Sequence, residues 1–159
     1  MIKIRNAKSA DRKQYLIIQK EAFPTSDSRR EGKFFDLKFK KGYILVAEKD
    51  GDYLGHLAFE DYSITPPFAK SIWLQEFAVK KNERSKGYGK KLLNAAAEYC
   101  KKKKIPVIYI PTSDYPNNRA IKLYKRLGFK LLGTLADVVP SKEYPYPQVF
   151  YGIKVSDWK

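Results

Sequence analysis

The segment Arg84-Ser85-Lys86-Gly87-Tyr88-Gly89 stands between an apolar run, Trp73 to Val79, and an amphipathic pattern that opens at Gly89 and continues through Leu92, Leu93, Ala96 and Cys100. A strand, a glycine turn and a helix in that order confine the chain to folds with a strand-to-helix crossover. Glycine reaches backbone conformations closed to residues with a Cβ and lets a ligand come close. A helix N-terminus offers unpaired N–H groups and partial positive charge. The turn therefore reads as a seat for an anion such as a phosphate. Taken alone, a Gly-x-Gly is equally well a tight turn.

The rest of the chain extends this pattern. Ile2 and Ile4 alternate as a first strand. Ser9 is the expected N-cap of a helix to Phe23, with Tyr15, Leu16, Ile18 and Phe23 at helical spacing, and Pro24 ends it. Ser26 to Lys40 reads as a second, more basic helix. Tyr43–Glu48 and Tyr53–Tyr62 form a hairpin about Asp50-Gly51-Asp52. Pro66-Pro67 breaks the chain before a long strand, Ser71–Val79. Pro106–Ile110 is a short strand, and Asn117–Leu127 a helix closed by Gly128 at C′. Two last strands, Phe129–Val139 and Val149–Val155, flank a Pro- and Tyr-rich loop. The long strand, its helix and the Val107 strand make a right-handed crossover with parallel strands. The rest of the sheet is expected to be mainly antiparallel. The fold class is a mixed α/β sheet in one domain over residues 1–159, with no internal repeat.

Net charge is +15 and the pI near 9.7, a field that attracts phosphorylated cofactors, nucleic acid or acidic surfaces without choosing among them. Lys101 to Lys104 resembles a nucleic-acid patch but also complements a helix C-terminus. A Lys-rich surface of the thermophile kind, without partner meaning, accounts for the same excess. The single cysteine, Cys100, excludes an internal disulfide framework, fits a reducing cytoplasm and reads as a packing residue. One histidine and one cysteine make a zinc site of such ligands improbable, so no metal is expected. No stretch is long enough to cross a membrane, and Met1–Arg5 does not begin a signal peptide.

Two segments together resemble the GNAT family, the GCN5-related N-acetyltransferases. Arg84-x-x-Gly87-x-Gly89 is similar to that family's Q/R-x-x-G-x-G/A motif. Asn117-x-x-Ala120-Ile121-x-Leu123-Tyr124-x-x-x-Gly128-Phe129 is similar to its later signature. The element order agrees over nearly the whole chain; residues 1–40 and 134–148 agree least. The resemblance implies acetyl-CoA as cosubstrate and a sheet whose two parallel strands, Trp73–Val79 and Pro106–Ile110, splay apart. Backbone groups of Phe77, Ala78 and Val79 would then pair with pantetheine amides. The N–H groups from Arg84, Ser85 and Lys86 through Gly87, Tyr88, Gly89 and Lys90 would hold the pyrophosphate. Asn117 would cap its helix or touch the pantetheine.

The implied reaction is direct transfer of acetyl to a primary amine in a ternary complex. Tyr124 matches the family position that serves the CoA sulfur, and a phenol is a credible donor. Its other reading is core packing. For the base, Glu76 leads, because it interrupts the run Leu74 to Val79. Strand alternation sets it opposite Phe77. Asp114 is the runner-up and reads also as a turn residue; His56 reads as a surface residue of the hairpin. The acceptor, a small molecule or a peptide amine, stays open. The basic surface disfavours a polycation unless Glu60, Asp61 or Glu143 makes the groove acidic. Tyr144-Pro145-Tyr146-Pro147 forms either an acceptor wall or a rigid loop. A homodimer is compatible. The rival reading is a basic nucleic-acid-binding protein on the same scaffold, though the chain lacks the aromatic-basic interleaving of single-strand binders.

Overall fold

Local patterning produces the elements much where the residues ask for them. The computed structural model describes residues 1–62, 70–135 and 146–159. Among these, the elements are β1 (Ile2–Asn6), α1 (Arg12–Ala22), α2 (Ser28–Lys41), β2 (Ile44–Lys49), β3 (Asp52–Tyr62), β4 (Ser71–Val79), α3 (Tyr88–Lys103), β5 (Val107–Ser113), α4 (Arg119–Arg126), β6 (Lys130–Leu135) and β7 (Gln148–Lys154). The strands follow the order β1-β2-β3-β4-β5-β7-β6, and β4 with β5 is the parallel pair. The chain divides into two compact units, Met1–Glu60 with Gln75–Glu98 and Asp61–Leu74 with Tyr99–Lys159.

In the first unit β1 and β3 flank β2 in antiparallel ladders, with Ile4 opposite Ala47 and Val46 opposite His56. Helices α1 and α2 bury Tyr15, Ile18 and Phe35 against Ile44, Val46 and Ala78. Phe35 is 1% exposed, and truncating such a side chain costs about 3–5 kcal/mol. Both helix starts differ from expectation. Ser9 does not cap α1: it opens a 3-10 turn, Ser9–Asp11, and α1 begins at Arg12. The Asp11 carboxylate takes the Lys8 N–H at 2.6 Å and two bonds from the Arg5 guanidinium, at 2.7 and 3.0 Å. A charged partner makes the 3-10 start the better closure. The second helix starts at Ser28, since Asp27 rather than Ser26 accepts the N–H groups of Arg29 and Arg30. Gly42 ends it in the left-handed region at φ 71°.

In the second unit the parallel ladder covers only Ser71–Trp73 against Val107–Tyr109. Strand β5 is longer than expected, because β7 pairs with it from Val107↔Lys154 to Ser113↔Gln148. Strand β6 runs along β7 with a shift in register between Leu131 and Gly133. Gly152 lies where a Cβ would come within 2.5 Å of the Leu132 side-chain end and 3.1 Å of Tyr109, so a larger residue there would displace Leu132 and crowd the Tyr109 ring. Helix α4 begins at Arg119, not Asn117: Asn118 supplies the cap, accepting the Ala120 N–H at 2.8 Å. Asn117 stands outside the helix at φ 62°. Gly128, at φ 89°, closes the helix as expected. Pro66-Pro67, the end of the expected strand to Val139, Glu143, Tyr144 and Pro145 lie outside the described residues.

Candidate active site

The glycine turn lies wholly in the first unit. From Val79 the chain makes a 3-10 turn, Lys81–Glu83, and enters α3 at Tyr88, one residue earlier than the sequence suggests. Ser85 and Gly87 take left-handed backbone, φ 66° and 88°. Arg84 closes the loop: its Nε donates to the Val79 carbonyl at 2.9 Å. The Lys80 N–H donates to Leu54 O at 2.9 Å, fixing the strand end to β3. Lys86 pairs with Glu83 at 3.0 Å, which holds that carboxyl below its usual range.

Buried Tyr88 anchors the first turn of α3, whereas Ser85, Lys86, Gly87 and Lys90 are exposed. The first N–H groups of any α-helix lack partners within it. A Cβ placed on Gly87 would meet nothing within 4 Å. A neighbouring cavity of about 260 Å³ is lined by Lys49, Asp50, Asp52, Leu54, Glu83, Lys86 and Tyr88. With three carboxylates in that lining, the open turn is the better anion seat.

Three residues before Val79, Glu76 meets helix α1. The Gln19 carboxamide donates to Glu76 Oε2 at 2.7 Å and to Glu31 Oε2 at 3.3 Å. Its carbonyl accepts from His56 Nε2 at 2.9 Å. With both carboxyls ionised the reverse orientation would turn a carbonyl on two carboxylates, so this one is favoured, and it assigns the His56 proton to Nε2. Contrary to expectation, His56 is not on the surface: it is fully buried and packs against Tyr15, ring centroids 4.1 Å apart with the planes tilted by 30°. Burial holds the imidazole down to about 3. Glu76 is raised to about 7, first by burial and then by the charge of Glu31; the Gln19 bond and Arg30 act the other way. The sequence analysis missed Gln19 and Glu31. Gln19 lies in the stripe of buried Tyr15 and Ile18 and half-buried Ala22 on α1, and a polar residue in such a stripe was the available signal.

The remaining candidates separate. Glu60 is tied to Lys38 and Lys41, and Asp61 accepts from Tyr99 Oη at 3.4 Å. In the second unit Tyr124 is 3% exposed and packs beside Phe129 and Tyr151; burial raises its phenol above the ordinary value. Asp114 donates its N–H to Pro147 O at 2.8 Å, next to the last β5–β7 pair Ser113↔Gln148, so the bond extends that ladder and is not the local bond of a turn residue. Tyr146 lies against Tyr115, centroids 6.0 Å apart. Among the described residues no group of three or more His, Cys, Asp or Glu is placed to hold a metal ion, and no helix is long and apolar enough to cross a membrane.

The profile of the acetyltransferase (GNAT) family matches residues 9–129. The chain belongs to the GNAT family. It is 27% identical over 107 residues to an L-methionine sulfoximine/L-methionine sulfone acetyltransferase of Pseudomonas aeruginosa, covering 66% of this chain and 61% of that protein's length. It is 29% identical over 158 residues to an N-alpha-acetyltransferase of Sulfurisphaera tokodaii, covering 91% of this chain and 89% of the other. The crystal structure of an N-acetyltransferase from Staphylococcus aureus superposes with a TM-score of 0.81 at 24% identity, over 98% of this chain and 99% of that one. The mixed sheet with one parallel pair is thus the GNAT fold.

Glu76 and His56 act on the stability of this GNAT chain in opposite directions. Between about 4.5 and 7 folded Glu76 holds a proton that the unfolded chain has released. Its contribution is therefore fully present below 4.5 and falls as pH rises towards 7, by about 3 kcal/mol. His56 is neutral when folded, so the stability it contributes is present above 6.5 and is lost as pH falls towards 3. Denaturant unfolding of Glu76→Gln against the native chain is expected to show a gain that grows from pH 4.5 to 7.5. A gain independent of pH would remove Glu76 from this account.

Proposed function

We propose that this GNAT chain is an acetyl-CoA-dependent N-acetyltransferase in which a primary amine attacks the thioester directly. The carrying observation is the open turn Ser85–Gly87 at the N-terminus of α3, in the connection that follows the strand bearing Glu76. The residues present fit the cosubstrate. The turn supplies backbone N–H groups and an uncovered glycine for a diphosphate, and the alkaline net charge of +15 favours anions. Glu76 is the base. It takes one proton from the acceptor ammonium; the amine nitrogen bonds to the carbonyl carbon, the C–S bond breaks, and the second amine proton leaves with the thiolate as thiol. The sum is ammonium plus thioester giving amide, thiol and one proton.

Tyr124 is the donor to the departing sulfur on the family resemblance. Its raised phenol keeps its proton, while a thiol loses one near 8.5, so Tyr124 supplies a hydrogen bond rather than the proton itself. Losing a hydrogen bond to a charged atom costs about 1.5–3 kcal/mol, so Tyr124→Phe is expected to lower kcat about 10- to 100-fold, with acetyl-CoA affinity unchanged. Steady-state kinetics with titration calorimetry separates the two; an unchanged kcat removes Tyr124 from this role.

The acceptor that suits a base near 7 is a peptide α-amine. An α-ammonium ionises near 8, so its proton passes to Glu76 almost evenly, whereas a lysine or polyamine ammonium near 10.4 passes it uphill. One relative that aligns over most of both chains, 91% of this one and 89% of its own length, is an N-alpha-acetyltransferase. Polycations are further disfavoured by the basic surface, with Glu60 already paired to Lys38 and Lys41. Free-CoA release is to be followed with a peptide bearing a free N-terminus, the same peptide N-blocked with an internal lysine, and spermidine. Release with the first alone is expected; release with spermidine alone would overturn the acceptor, and release with none the enzyme.

A further inference from the structure

The hydrogen bonds around Glu76 lead away from the reacting atoms, through Gln19 to a buried histidine. We infer that Gln19, locked by His56, is a positioning residue that fixes the Glu76 carboxylate and holds it available as a base. The inference rests on the proposed role of Glu76 and adds the device that sets it.

Gln19 lies on α1, its oxygen on His56 Nε2 and its amino group on both Glu76 and Glu31. The groups facing Glu76 come from three elements: Tyr15 and Gln19 on α1, Arg30 and Glu31 on α2, and, through Gln19, His56 on β3. Glu31 is 4% exposed, so a second carboxylate is buried on the same amide. A neutral amide donates to a carboxylate without cancelling its charge. A lysine or arginine there would hold Glu76 ionised far below neutrality and make it a weak base. An apolar residue would leave two facing carboxylates with nothing between them.

The lock is reciprocal. With its proton on Nε2 His56 can only donate there, so the amide carbonyl turns to it and the amino group turns to the acids. Its Nδ1 has no partner, and neither has the Tyr15 or Tyr53 hydroxyl, so nothing else in this buried cluster competes for the Nε2 proton. Between the two acids and the histidine, Gln19 has one stable orientation.

The test is Gln19→Met, which keeps length and packing but has no donor, read in two ways. One is carboxyl ¹³C NMR titration of Glu76, assigned by its loss in Glu76→Gln; the other is the pH profile of kcat/KM. The variant is expected to raise the Glu76 midpoint and the acidic limb of the profile together by about one pH unit, a tenfold change in proton affinity. A Gln19 that served packing alone would change the melting temperature and leave both midpoints in place, and that result overturns the inference. If the NMR midpoint rises while the kinetic limb stays, Gln19's hold on Glu76 stands and Glu76 as base falls instead. Should Gln19→Met not fold, Gln19→Asn keeps an amide but draws it back by one methylene, and the same rise is expected.

Discussion

Glu76→Gln is expected to lower kcat/KM about 100- to 10,000-fold at pH 8, the range associated with losing a positioned general base. Acetyl-CoA affinity should stay within about twofold, because the glycine turn and the carboxylate are separate features of one unit. Glutamine is nearly isosteric, so the packing beside Gln19 is kept and so is folding. The pH dependence carries the decision. With Glu76 raised to about 7, kcat of the native chain should climb through that midpoint and level off above it. The variant should lose this limb and keep only the ionisation of the amine itself. Stopped assays from pH 5 to 9 measure both. A variant with native kcat and the same limb would show that another group, or a water chain, takes the proton, and Glu76 would then be a structural acid.

Much of this arrangement could be read from residue order. Ser71–Val79 is one apolar run bounded by a lysine at each end, so its strand matches expectation at both ends. Gly87 and Gly128 punctuate their helices because left-handed backbone excludes most other residues, and that constraint is local. What escaped was long-range. Gln19 meets Glu76 across a separation of 57 residues, and no helical or strand period links them. His56 was mistaken for a surface residue because its strand was taken as half exposed. Yet Tyr53 through Phe59 is a buried run with hardly a polar break, the mark of a strand covered on both faces. Helix starts slipped for a related reason. Serines at 9 and 26 are good caps in general, but aspartates at 11 and 27 were near enough to win with a full charge.

Substituting Gly87 should separate cosubstrate binding from folding. At φ 88° any L side chain is strained by about 1–2 kcal/mol, least for asparagine, which tolerates the left-handed region. Among the described residues no atom beyond its chain neighbours lies within 4 Å of the position a Cβ would take, so Gly87→Asn meets no steric conflict there. Its melting temperature without ligand should therefore fall by only a few degrees, the cost of the backbone strain alone. A diphosphate seated on the N-terminus of α3 would meet the new side chain, and losing one or two amide–phosphate bonds at about 1.5–3 kcal/mol each weakens binding roughly 10-fold to beyond 1,000-fold. Gly87→Val should add to this a clear loss of stability, because a β-branched residue suits that backbone worst. Calorimetric titration of acetyl-CoA, with thermal melts on the same samples, measures affinity and folding side by side. The seat at the helix end requires the asparagine variant to be folded and unable to bind. Native affinity in that variant would mean that nothing docks at Gly87, and the glycine would then serve the turn alone.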